Sequence, residues 1–189
     1  MRSRPISGVI QPAMWDDLRF PANAVRQNPV TVKPDFDVWR SGVRTFVFDG
    51  GANEEVHFNA QLPHGFRFGT KLEFHVHWAP MTAPTNGQTV LWYLEYTLAE
   101  QGTVFPVSAT GGPGTHTFAA NSQYEHILTE VVTSATGIDT SAWTITSGML
   151  SCRLYRDAVT DTYADEVAFL EADFHFQKDQ SGSRQEFVK

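Results

Sequence analysis

Cysteine is nearly absent from this chain of 189 residues: Cys152 stands alone. No internal disulfide can form, so the fold is not one stapled by bridges. Cys152 sits in the apolar-rich run MLSCRLY with no basic cluster beside it, and reads as a small core residue. Charge is scarce too, at 19% of residues, which argues against a helical bundle laced with surface ion pairs. Basic residues are the rarer sign, 14 against 21 acidic, for a formal net charge of −7. A phosphate backbone is bound through surplus Lys and Arg, so nucleic acid is not expected as a partner. No run approaches the ~20 apolar residues that span a bilayer, and MRSRPISGVIQPAMWDD has no apolar core of signal-peptide length. The expectation is a protein made in the cytoplasm, with no membrane partner.

Chemical signatures are missing as well. There is no G-x-S-x-G, and the run ATGGPGTHTF at residues 109–118 is followed by no Lys-Ser or Lys-Thr, so it reads as a loop rather than a phosphate cradle. No repeat of fixed period is visible, which excludes a propeller or solenoid.

What the chain does have is aromatic and β-branched residues: 14 Phe, 5 Trp and 5 Tyr among frequent Val and Thr, punctuated by 14 Gly and 10 Pro. These suit pleated, half-buried surfaces joined by turns. The clearest stretch is KLEFHVHWAP at residues 71–80. Leu72, Phe74, Val76 and Trp78 share one face of a strand, and Glu73, His75 and His77 the other.

Further strands are expected at 44–48 and 55–62, able to pair antiparallel across Asp49, Gly50 and Gly51, and at 89–100, with apolar residues on both faces. Residues 123–132 tilt toward strand, and 148–155 and 166–177 complete the set. In the last, Ala168, Leu170, Ala172, Phe174 and Phe176 are expected inward, with Glu171, Asp173 and His175 outward. Five prolines before residue 40 favour an extended arm over a helix or central strand. The fold class is therefore all-β, a β-sandwich of jelly-roll type with an extended N-terminal arm. The divisions are 1–40 for the arm, 41–180 for the sandwich and 181–189 for a polar tail.

If the strands at 71–80 and 166–177 pair antiparallel, opposite residues lie roughly 5 Å apart. His75, His77, His175 and Asp173 are then the candidates for a metal, in the H-x-H manner of cupin-like barrels. Those barrels turn their ligands inward, whereas these histidines lie opposite Phe74 and Trp78, and no metal is assigned. An interface or sheet-surface role for the three histidines is the favoured reading. Within the arm, Trp15, Leu18 and Phe20 are the apolar anchors expected to lie across a neighbouring surface; an edge segment folded back on its own domain is the alternative. Trp39, Trp92 and Trp143 are the candidates for a sugar-stacking platform, with core packing preferred for Trp92. The acidic pairs Asp16–Asp17 and Asp165–Glu166 point to opposite strand faces and suit solvent better than glycoside hydrolysis. No catalytic residue and no cofactor is assigned.

Several strings, MWDDLRFP, VHFNAQLPHGF, FHVHWAP, LWYLEYTLA and FLEADFHFQKDQSGSRQEFVK, together resemble a family of small β-rich virion-associated structural proteins of tailed bacteriophages. The resemblance implies a non-enzymatic virion component, assembled in the host bacterial cytoplasm. Within that class it favours a capsid decoration or cement protein that sits as a homotrimer over junctions of the major capsid protein. A tail or head-fibre module that binds host glycans is the alternative, and a metal-dependent cupin-like enzyme a more remote one.

Overall fold

Alternation of apolar and polar residues builds most of this protein, whose computed structural model describes residues 14–30, 32–119 and 123–182. Within these described residues twelve strands appear in chain order: β1 (Met14–Pro21), β2 (Arg26–Gln27), β3 (Asp35–Arg40), β4 (Val43–Phe48), β5 (Glu55–Gln61), β6 (Lys71–Pro80), β7 (Thr89–Ala99), β8 (Ala109–Thr117), β9 (Ile127–Val132), β10 (Ile138–Asp139), β11 (Met149–Arg156) and β12 (Val167–Lys178). Among the described residues the sole helical element is a single 3-10 turn at Ala22–Ala24, and no helix is long and apolar enough to cross a membrane.

Every pairing is antiparallel. One sheet of seven strands runs β10-β6-β12-β4-β3, with β9 also on β6 and β1 also on β12; the other runs β2-β5-β11-β7-β8. The core lies between the two sheets. Leu72, Phe74, Val76 and Trp78 of β6 and Ala172, Phe174 and Phe176 of β12 meet Val56 and Phe58 of β5, Trp92 and Leu94 of β7, and Leu150, Cys152 and Leu154 of β11. Ring contacts cross the layers, with Phe58 stacked 6.0 Å from Phe74 and Phe48 edge-on 5.1 Å from Trp92. This is an all-β protein of two packed antiparallel sheets, as expected of a sandwich.

Several expectations need correction. Residues 14–40 do not stand apart: β1 pairs along eight residues of β12, β2 pairs with β5, and β3 pairs with β4. The sheets therefore ignore the expected boundary at residue 40; residues 1–13 of the expected arm and 183–189 of the tail lie outside the described residues. The runs at 44–48 and 55–62 form β4 and β5, yet they belong to different sheets. The turn between them passes from one sheet to the other instead of closing a hairpin. Gly50 is required there because a Cβ would lie 2.2 Å from the Ala164 carbonyl oxygen.

The glycine-rich run is strand β8, not a loop. Its glycines let β8 approach β9 of the opposite sheet, since a Cβ on Gly114 would lie 2.6 Å from the Glu130 carbonyl oxygen. In β12 a bulge between Phe169 and Glu171 shifts the alternation. Val167 and Phe169 join the core with Ala172, Phe174 and Phe176, while Leu170 opens onto an outer hollow. Strand β7 is central in its sheet, but only Val90, Trp92, Leu94 and Ala99 are buried; Tyr93 on its other face stacks on Tyr155 at the surface.

Candidate functional site

The pairing of β6 with β12 brings together what alternation placed outward. Asp173 lies opposite His75, Glu171 opposite His77, and His175 opposite Glu73. Strand β1 extends this outer face with Asp17 opposite His175 and Arg19 opposite Asp173, and β9 extends it on the other side with Glu130 opposite His75 and Leu128 opposite His77. Four strands in register thus assemble one histidine–carboxylate cluster.

Asp173 is its hub. The residue is only 3% exposed although it points away from the core, because the flanking side chains close over it. His77 donates through Nε2 to Asp173 Oδ2 at 3.0 Å, since a carboxylate can only accept. His75 Nδ1 lies 3.4 Å from Oδ1, so the two imidazoles of the H-x-H pair engage different oxygens of one carboxylate. The other ring nitrogen of His77, Nδ1, lies 2.9 Å from His126 Nε2, and these rings stack at 5.1 Å. Among the described residues His75 Nε2 is buried with no hydrogen-bond partner.

The flanks are tied down by ion pairs. Arg19 donates through Nε and an Nη to both oxygens of Glu171, at 2.5 and 2.7 Å. His175 Nδ1 donates to Asp17 Oδ1 at 2.6 Å, and the exposed Trp15 indole lies parallel over the His175 ring at 4.5 Å. Burial pushes the Asp173 carboxyl up, but the imidazoles of His75 and His77 outweigh it and hold the group at about 2. The same contact with Asp173 raises the His75 imidazole above its usual range, against the opposing effect of burial.

The other residues singled out fall elsewhere. Phe20 is buried against Phe58 and Phe174 at 4.7 and 6.2 Å, and Leu18 is partly buried against the core. Cys152 is buried in the core and burial pushes its thiol well above the ordinary range. Trp92 is a core residue; Trp143 lies across Gly148 and against Phe66; Trp39 is half-buried, edge-on to Tyr124. Asp16 pairs with Lys178 and Asp17 with His175, while Asp165 accepts from the Thr82 hydroxyl at 2.7 Å.

Two groupings escaped the sequence reading. His126 shares parity with the outward Leu128 and Glu130, a signal that was present once residues 123–132 were read as a strand. The second is a cleft of about 530 Å3 at one end of the five-stranded sheet, where His64 Nε2 lies 3.0 Å from Ser147 Oγ. The two residues are 83 apart in sequence and carry no motif. The cleft's carboxylate, Glu100, accepts backbone N–H groups of Thr144 and Ile145 at 2.6 and 3.0 Å. No protein-family model matches this chain, and no curated protein matches it.

Proposed function

We propose that this chain is a structural protein of a tailed-bacteriophage virion, a capsid decoration or cement protein that sits as a homotrimer over junctions between major capsid subunits and stabilises the shell. In this reading the two sheets form a sandwich of jelly-roll type. The strings quoted above support the reading. The observation that carries it is apolar surface left outside the core at an open sheet edge.

Among the described residues strand β3 ends its sheet, and Phe36 on it and Val43 beside it are 54% and 57% exposed. Both line a shallow hollow with Trp39 and Leu170. A second apolar site is the loop between β7 and β8, where Val104 and Val107 are 90% and 92% exposed. A free sheet edge flanked by exposed apolar groups invites another protein surface, and its burial yields roughly 25 cal/mol per Å2. The mechanism is mechanical: apolar contacts at two places on one rigid sandwich couple neighbouring subunits. The anchors are then Phe36, Val43, Val104 and Val107 in place of Leu18 and Phe20.

Cryo-electron microscopy of particles with and without the protein tests this. Density lost at regular positions over the capsid lattice is the expected result. Density lost only at the tail or a fibre base overturns it in favour of the attachment or glycan-binding module.

A further inference from the structure

We propose that the outer face of the seven-stranded sheet holds a first-row divalent transition-metal ion, of the Zn2+ or Mn2+ class, between β6 and β12, ligated by His77 Nε2 and the carboxylates of Asp173 and Glu171. One ligand atom from each of these three residues lies within 4.8 Å of the others. His77 Nε2 and Asp173 Oδ2 are already 3.0 Å apart. Metal–ligand bonds of about 2.0–2.2 Å separate adjacent ligands by about 3.0–3.5 Å. That pair needs no backbone movement to accept an ion, and Glu171 needs only a side-chain rotation from Arg19.

Three further features of the cluster fit a metal. The ligands come from two strands locked in register, with Glu171 directly opposite His77, so the backbone holds the donors before any ion arrives. The far nitrogen of His77 has its own partner in His126 at 2.9 Å, the outer contact that orients a metal-bound imidazole. With an ion on Nε2, His77 donates its proton from Nδ1 to His126. Charge also favours a cation, since Asp17, Glu73 and Glu130 surround the site on the same face and Arg19 is the guanidinium that answers them. Imidazole with carboxylate oxygen selects Zn2+, Mn2+ or Fe2+ over the all-oxygen sites of Ca2+ and Mg2+.

The ligand set differs from the four residues the sequence suggested. His175 is turned to Asp17 and Trp15, and His75 backs the other oxygen of Asp173, so it positions the carboxylate without joining the ion. The bound ion clips β6 to β12, and its remaining positions face outward.

Isothermal titration of the chelator-stripped full-length chain with Zn2+ tests the assignment. The expected result is one ion per chain and a raised melting temperature. His77→Ala and Glu171→Gln should each weaken binding at least about tenfold, and His126→Ala by about tenfold through loss of orientation. His57→Ala, on the opposite sheet, should leave binding unchanged. Circular dichroism confirms that each variant is folded, and Glu171→Gln keeps a partner for Arg19. Absence of binding at millimolar Zn2+ overturns the assignment, as does binding that His77→Ala and Glu171→Gln both leave intact.

Discussion

Two buried charges away from the histidine cluster respond to opposite tests. Arg156 is fully buried and so is the side chain of its partner Asp161, whose carboxylate accepts from Nε at 2.8 Å and an Nη at 3.2 Å. The guanidinium also donates to the carbonyls of Asp49, Asp165 and Tyr163, tying the β4–β5 and β11–β12 loops to the end of β11. Removing one partner leaves the other charge and those carbonyls without a donor, so Arg156→Ala is expected to cost about 3–5 kcal/mol, measured by urea unfolding. Glu54 is the reverse case: burial pushes its carboxyl up to about 7, opposed by the Asp49 N–H it accepts and reinforced by the negative Asp49, Asp35 and Glu166. The folded chain therefore holds this proton more tightly than the unfolded chain. Its contribution to stability is complete below about pH 4.5 and is lost as pH rises through about 7. Glu54→Gln should match the native chain near pH 4.5 and exceed its stability near pH 8, by at most about 3 kcal/mol. Equal urea midpoints at the higher pH would show that the Glu54 carboxyl is ionised without penalty.

At the scale of elements, what the sequence revealed depended on whether one period governed a whole strand. In β6, period-two alternation runs from Lys71 to Trp78, and over that span its core and outer faces match the sequence pattern, down to the histidines, before Ala79 and Pro80 are both buried. In β12 the bulge after Phe169 breaks that period, and a bulge leaves no mark in residue types that distinguishes it from continued alternation. Strand β8 was hidden because its glycines serve a close approach to β9, a contact between sheets that local composition cannot display. Gly114→Ala forces a Cβ into the backbone of Glu130 and Val131, and should destabilise the protein by about 1–3 kcal/mol. Strand β1 stayed open between two readings for another reason: its carboxylates and terminal Pro21 suit an edge, and an edge of the same sheet is as compatible with them as a partner's surface. Phe20 decides between the two, since it fills space between Phe58 and Phe174. Phe20→Ala should cost about 3–5 kcal/mol in the isolated protein. An unchanged urea midpoint would return Phe20 to the role of an anchor for neighbours.

For the whole molecule, the exposed apolar groups at the β3 edge and in the β7–β8 loop lie apart from the histidine–carboxylate cluster, and this determines how docking should respond to salt. The histidine–carboxylate cluster occupies the middle of one sheet, whereas the exposed Phe36 and Val43 lie at that sheet's edge and Val104 and Val107 on a loop of the other. The net charge of −7 supplies long-range repulsion toward an acidic partner, a term that falls away once salt shortens the screening length. If apolar contacts hold the protein on a capsid, occupancy should persist or rise as ionic strength increases to about 0.5 M, because burial of apolar surface is not screened. A charge-held complex would dissociate over the same range. Phe36→Ser with Val43→Ser removes apolar groups that make little contribution to the core, so folding should be preserved while occupancy falls at least about tenfold, the loss of roughly 1.4 kcal/mol or more. Sedimentation of decorated particles measures both effects. Loss of occupancy in salt with the double variant bound as tightly as the native chain would relocate the contact from the β3 edge to the charged face of the sheet.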